Sequence, residues 1–125
     1  MKVTNRKIVE VSRDIESIED IDLPMSTKLS IARRIRWITN ESKLIMAYRD
    51  RLIVKHGEKV EVDGKPSYSL SADSKEMPKY QKEEMELLNA EVECPYDSEV
   101  VDCNGLKMAN LVPLVGMEPF ITIVS

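Results

Sequence analysis

The chain has 125 residues, of which 42% are hydrophobic and 32% are charged, and its net charge is −4. This composition excludes collagen-like, low-complexity and wholly disordered chains, and the length fits one domain with its own core. Its longest apolar runs, 111–116 and 120–124, are far shorter than the roughly 20 residues of a membrane-spanning helix. Because the N-terminal segment also lacks the apolar stretch of a signal peptide, we expect a cytosolic protein.

Positive and negative charges are separated along the sequence. Residues 24–56 carry eight Lys and Arg against two acids, a balance of +6, whereas residues 57–125 carry six against 14, a balance of −8. Such segments can neutralise each other within one domain, or they can pair between two copies of the chain.

The first predicted element is a helix over residues 5–20. Valine and isoleucine residues between positions 8 and 18 recur at intervals of three and four, which places them on one helix face. Thr4 or Asn5 can cap the N-terminus. Acidic residues crowd the last turns, where they oppose the helix dipole, so we expect a frayed end.

A long second helix is predicted over residues 26–56. Leu23-Pro24 breaks the chain before it, and Ser26 is a suitable N-cap. The segment contains no Gly or Pro and keeps an apolar stripe at heptad-like spacing, which favours one continuous helix. Gly57, which follows the cationic pair Lys55-His56, predicts the helix end with Gly in the left-handed conformation.

A short β-hairpin insert is predicted over residues 59–70, because Asp63-Gly64 favours a tight turn between short apolar segments. A two-stranded hairpin is only marginally stable alone, so we expect it to pack against the helices or against a partner.

A third helix is predicted over residues 74–90, with Pro78 near its first turn. Together with the second helix it predicts an antiparallel helical hairpin, and the fold class is predicted as mainly α.

An irregular part is predicted at the C-terminal end. A turn at Asn104-Gly105 precedes a short helix over residues 111–117, which Asn110 can cap, and a terminal strand follows. We expect residues 1–118 to form a single helical domain. The uncharged, β-branched residues 119–125 are expected to form an apolar tail that pairs with another strand or another copy.

Candidate catalytic and metal-binding residues are few. Cys94 and Cys103 lack CxxC spacing, and His56, the one histidine, cannot complete a zinc site with them. Two reduced, partly buried thiols are favoured over a disulfide. We expect His56 to act as a cation at a helix end and the acidic run 83–86 to form a solvated helix face. No nucleotide-binding or hydrolase motif occurs, so the sequence predicts a non-enzyme without metal or cofactor.

The run from Arg33 to Trp37 is the clearest candidate for an interaction surface. Arginine and an aromatic ring together can contact a phosphate and stack on a base, but the pI of about 5.1 disfavours nucleic acid. Pairing with acids of the same chain or of another protein is favoured instead. The interaction candidates from this run and from the tail are Arg33, Arg34, Arg36, Trp37, Phe120, Ile121 and Ile123.

Several short segments follow one another in a characteristic order. They are Leu23-Pro24, a long helix ending in residues 49–53 and His56-Gly57-Glu58, the turn Asp63-Gly64-Lys65-Pro66, the segment 86–93 and the turn Gly105-Leu106. This order, over roughly residues 20–118, resembles small proteins of unknown function that tailed bacteriophages and prophages encode. The resemblance implies phage origin, a helix-rich single domain and no established activity.

We therefore expect a non-enzymatic phage protein that acts by assembly, as an oligomerising or docking virion component similar to a head–tail connector. Its partners would be copies of itself or other virion proteins. Two alternatives stay open, namely a soluble regulator or inhibitor that binds one host protein, and an accessory protein that binds nucleic acid. The expected location is the host cytoplasm or the virion, without membrane attachment.

Overall fold

The computed structural model describes every residue except 16, 17 and 19. The described part is 51% helical and 20% strand, so the fold is mixed α/β. The predicted helices are present, but the predicted mainly α class is too narrow because of the strands. The short strands carry too few residues for a clear sequence pattern. The elements in chain order are β1 (Lys2–Thr4), α1 (Asn5–Ser12), α2 (Met25–His56), β2 (Glu58–Val62), β3 (Lys65–Ser69), α3 (Met77–Asn89), β4 (Glu91–Glu93), β5 (Glu99–Asp102), α4 (Met108–Val115) and β6 (Ile121–Val124).

The strands of the described chain form three separate two-stranded sheets. β1 pairs antiparallel with β4, and β2 pairs antiparallel with β3, which confirms the predicted hairpin. β5 pairs in parallel with β6, and α4 supplies the crossover that a parallel pair needs. The β1–β4 pair therefore connects the N-terminal strand to the segment after α3, and the β5–β6 pair connects the last strand to the segment before α4.

α1 is shorter than the predicted helix. The Oγ1 atom of Thr4 accepts a hydrogen bond from the Lys7 amide at 3.1 Å, as expected for the N-cap. The α-helix ends at Ser12 rather than near residue 20, yet Ile15 and Ile18 remain buried. Apolar spacing thus correctly indicated the buried side chains, but not the helix that was inferred from it. The prediction for residues 16, 17 and 19 lies outside the described residues.

α2 matches the predicted second helix and extends about 48 Å at 1.5 Å per residue. Its N-cap is Pro24 rather than Ser26, and no side chain caps this end. Gly57 follows the helix in an extended conformation (φ −85°, ψ 171°), so the predicted left-handed conformation is wrong. Glycine fits there because the backbone approaches closely. A Cβ would lie 2.5 Å from the Ile53 carbonyl oxygen and 2.9 Å from that of Ser69.

The hairpin and α3 follow the end of α2. Asp63 and Gly64 both have positive φ (51° and 75°), as a two-residue hairpin turn requires. α3 begins at Met77 instead of residue 74, because the segment before it forms a turn in which the Ser74 hydroxyl accepts a hydrogen bond from the Glu76 amide at 3.2 Å. α3 then runs antiparallel to α2, so the predicted pairing of the two long helices is present within the mixed fold.

The apolar core lies between α1, the first half of α2 and the C-terminal segments. Residues 119–125 form part of it, because Phe120 and Ile121 are fully buried and β6 pairs with β5 of the same chain. α4 begins at Met108 rather than residue 111, and Asn110 lies inside it instead of capping it. The largest fully buried side chains include Ile8, Ile21, Ile38, Leu114, Met117 and Phe120.

Candidate interaction surface

Arg34, one of the predicted interaction residues, lies inside the protein. Its guanidinium donates two hydrogen bonds to the Asp97 carbonyl oxygen, from Nη2 at 2.7 Å and from Nε at 3.1 Å, and a third to the Ser30 carbonyl oxygen at 2.9 Å. It also stacks over the Tyr96 ring, 5.2 Å from the centroid. Arg34 therefore attaches the segment before β5 to α2, and its side chain is not exposed to a partner.

The aromatic and tail candidates are also part of the core. Trp37 is half-buried, and its ring centroid lies 6.2 Å from that of Phe120 at an angle of 54°. Phe120 and Ile121 are fully buried, and Ile123 is half-buried against the same core. These four side chains join α2 to the C-terminal strand, so the structure gives them a packing role.

Arg33 and Arg36 do lie on the surface. They belong to a row of exposed side chains that we call the outer face of α2. Five of its members are cationic and one is acidic, and the rest are apolar or neutral. The outer face comprises Met25, Ser26, Leu29, Ala32, Arg33, Arg36, Asn40, Lys43, Leu44, Ala47, Tyr48, Asp50, Arg51, Val54 and Lys55.

The cations of the outer face are only partly neutralised. Lys55 pairs with Glu83 at 2.7 Å, and Arg51 stacks over the Tyr48 ring at 4.8 Å. Within the described residues, Arg33, Arg36 and Lys43 form no ion pair. Between them lie large apolar side chains that are about half exposed. Exposed apolar area interleaved with one sign of charge is typical of a docking surface.

A cavity of about 360 Å³ opens beside the first half of α2. Most of its walls are aliphatic, and Ala32 leaves space near its middle. The cavity can accept apolar side chains, and among the described residues of its lining there is no nucleophile and no acid–base pair. The lining residues are Ile18, Leu23, Lys28, Ile31, Ala32, Ile35 and Arg36.

A polar cluster joins the end of α2 to α3. His56 is buried; its Nδ1 lies 2.9 Å from Glu76 Oε2, and its Nε2 lies 3.1 Å from Glu83 Oε2. A carboxylate only accepts hydrogen bonds, so both ring nitrogens can donate to these carboxylates only when the imidazole is protonated. The hydrogen bond to Glu83, and then that to Glu76, raise the pKa of His56. The pKa of Glu83 is lowered by Lys55 first and then by His56.

A second polar contact joins α2 to α3 one to two turns before the end of α2. Arg49 Nε donates to Glu84 Oε2 at 2.9 Å, and the Tyr80 hydroxyl donates to the same carboxylate. Glu83 and Glu84 therefore face α2, so the prediction that the acidic run 83–86 is a solvated face is correct only for Glu86. The sequence signal that could have indicated these contacts is the group of cations near the end of α2, namely Arg49, Lys55 and His56.

The two cysteines form no disulfide in the described structure. Cys94 and Cys103 are buried and free, as the favoured interpretation predicted. Burial raises the pKa of the Cys103 thiol, and Asp102 adds to this effect. In the described ranges no group of three or more His, Cys, Asp or Glu could hold a metal ion. The helices described are also too short or too polar to cross a membrane.

Comparisons with protein-family models, with curated proteins and with solved structures find no match to this chain. The outer face of α2 and the cavity beside it are therefore interpreted from their own chemistry.

Proposed function

We propose that this protein acts by assembly, as a non-enzymatic component that docks on other proteins through the outer face of α2. The observation that carries the proposal is the composition of this face, where half-exposed apolar side chains such as Leu29 and Leu44 lie among Arg33, Arg36 and Lys43. Apolar area supplies affinity, and charge sets orientation and the rate of encounter. A matching partner presents an acidic surface with exposed apolar side chains.

The resemblance to phage-encoded proteins supplies the proposed setting. In that setting the chain is a virion component similar to a head–tail connector, and its partners are copies of itself or other virion proteins. Unlike surfaces on each copy favour head-to-tail contacts, which close rings. The proposed locations are the host cytoplasm during assembly and the virion afterwards.

Size exclusion with light scattering at low and high salt tests the proposal. We expect an oligomer at low salt that dissociates as salt screens the exposed charges, because the Debye length is about 10 Å at 0.1 M and shrinks above it. Arg33→Glu with Arg36→Glu should disperse the oligomer at low salt. Lys59→Glu with Lys65→Glu changes the net charge equally on the exposed hairpin and should leave the oligomer intact.

A monomer or dimer whose mass is indifferent to salt would contradict assembly into a ring. It would favour the regulator that binds one host protein, and a pull-down from host lysate would then show a single stoichiometric partner.

Nucleic-acid binding is the second candidate, favoured by the five cations of the outer face. Affinity for single-stranded or duplex DNA should then fall steeply with salt, as phosphate contacts release counterions. Trp37 offers little stacking surface, because it is half-buried and packs against Phe120. This loss of an aromatic platform is the reason for ranking a protein partner first.

A further inference from the structure

A second exposed apolar surface lies on α4. Met108, Val112 and Val115 are 72%, 64% and 52% exposed, although all three are large and apolar. They are spaced by four and three residues, so they form one stripe along one face of the helix. Leu114, which is fully buried, attaches α4 to the core from another face. The stripe is therefore not needed to hold α4 in place.

The dimensions of this α4 stripe match those of the cavity beside α2. At 1.5 Å per residue, the stripe from Met108 to Val115 is roughly 10 Å long. Lys28 and Arg36, the charged residues among the described lining of the cavity, are separated by about 12 Å along α2. Ala32 lies midway between them, and so small a side chain lets a second helix approach closely.

The charges around the two surfaces are complementary. Residues 99–125, which contain the α4 stripe, carry three acids and one cation, Lys107. The outer face of α2 carries five cations and one acid. Opposite charges around an apolar contact steer the two surfaces together and fix their orientation. The acids of the C-terminal segment are Glu99, Asp102 and Glu118.

The cavity and the C-terminal segment lie on opposite sides of α2. Ser30 and Arg34 face the segment around β5, since the Ser30 hydroxyl donates to Glu99 Oε2 at 2.9 Å and Arg34 donates to Asp97. Ala32 is two residues from each of them, which is roughly 160° around the helix. One copy therefore cannot place its own α4 stripe in its own cavity, whereas a second copy can.

We propose that the α4 stripe of one copy inserts into the cavity beside α2 of the next copy. This inference rests on the proposed assembly function and names the partner as a second copy of this chain. Because the two surfaces are unlike, the contact is heterologous. Repeated from copy to copy, it closes a ring or extends a filament.

Two variants, measured by size exclusion with light scattering, test this contact. Val112→Asp places a charge on the α4 stripe, and Ala32→Trp fills the cavity. Each variant alone should be monomeric. Their equimolar mixture should form a one-to-one dimer, because each variant retains one intact surface. Val62→Asp is the matched control, on an exposed valine of the hairpin outside both the cavity and the outer face of α2, and it should assemble like the unmodified chain. All three side chains are exposed, so circular dichroism should show unchanged folding.

Three results would overturn the proposed contact, and they separate it from the proposed function. If Val112→Asp and Ala32→Trp assemble normally while Arg33→Glu with Arg36→Glu disperses the oligomer, assembly stands and the α4 contact is wrong. If the equimolar mixture stays monomeric, the two surfaces do not bind each other. If the unmodified chain is monomeric at every concentration, self-assembly and the α4 contact both fail.

Discussion

His56 and Glu76 are joined by a hydrogen bond of 2.9 Å between Nδ1 and Oε2, and it connects the last residue of α2 to the residue before α3. Glu83 accepts from the other ring nitrogen, so a buried imidazolium lies between two carboxylates. The two helices are thus held together at this end by a contact that depends on protonation.

We expect the stability contributed by His56 to fall as the pH rises. Its folded-state pKa is raised above the usual 6.5 by Glu83 and Glu76, so the folded chain holds the proton more tightly than the unfolded chain. The contribution is complete below pH 6.5 and is lost as the pH rises through the raised pKa. Urea unfolding of the unmodified chain and of His56→Gln between about pH 5 and about pH 9 should show a difference that shrinks with pH. A constant difference would contradict the charged state of the ring.

At acidic pH the stability contributed by the two carboxylates changes with pH in the opposite direction. The pKa values of Glu76 and Glu83 are lowered below 4.5, so their contribution is present above pH 4.5 and is lost as the pH falls through the lowered values. Keeping the measurement above about pH 5 therefore isolates His56.

Arg34→Met is expected to lower the free energy of unfolding by about 2–4 kcal/mol, because the Asp97 and Ser30 carbonyl oxygens lose their donors. Arg34→Lys should recover only part of this loss, since an ammonium cannot reproduce the fork of donors. The control is Arg33→Met, one residue away on the exposed side, with a change below about 0.5 kcal/mol. Urea unfolding measures all three, and equal losses at positions 33 and 34 would refute the buried role.

Gly57→Ala is expected to destabilise the junction between α2 and β2 by about 1–3 kcal/mol, because the new Cβ would collide with two backbone carbonyl groups. Gly116→Ala serves as the control, since its Cβ would come no closer than 3.3 Å to the Pro113 carbonyl oxygen. Thermal unfolding should separate the two variants by several degrees. A Gly57→Ala chain as stable as the unmodified one would show that the approach of Ile53 and Ser69 relaxes freely.

Phe120→Ala should cost about 3–5 kcal/mol, as expected for removing a fully buried aromatic side chain. Val124→Ala, on an exposed side chain of the adjoining strand β6, should cost much less. The fluorescence of Trp37 reports the change locally, because its ring packs against Phe120. If Phe120→Ala lowered the free energy of unfolding as little as Val124→Ala, residues 119–125 would behave as a dispensable tail.

Both thiols should react slowly with a thiol-specific reagent in the folded protein and rapidly in denaturant. Cys94 and Cys103 are buried, and the raised pKa of Cys103 lowers its thiolate fraction further. Absorbance of the released chromophore gives the rate and the number of free thiols, which should be two. Fast labelling without denaturant would contradict their burial.

The elements that the sequence predicts well are those with local determinants. α2 lacks Gly and Pro and ends before Gly57, and the hairpin turn rests on Asp63-Gly64, whose positive φ values Asp and Gly tolerate. The β1–β4 and β5–β6 pairs depend on segments distant in sequence. No local pattern encodes which strand meets which, so the mixed fold was not predicted.

At the candidate site, too, the sequence does not predict which individual side chains are buried. Arg33 and Arg34 are neighbours beside the same apolar stripe, and the sequence treats them alike. Arg34 is buried because the segment before β5 packs on its side of α2, whereas Arg33, about 100° around the helix, is exposed. Phe120 and Ile121 belong to an uncharged segment that suits a strand edge or a core equally well. Only the packing of the whole chain decides between these outcomes.

The two halves of α2 are held by different kinds of force. Up to Ile45 the helix buries isoleucine side chains, whereas beyond it the one buried side chain is His56, and Arg49 and Lys55 pair with acids of α3. Ionic strength and protons therefore act mainly on the far half, while the hydrophobic effect holds the near half. We expect the far half and its hairpin to exchange amide hydrogens faster than the core, because fewer buried apolar side chains hold them in place. A single unbroken helix would then contain a boundary between two levels of stability.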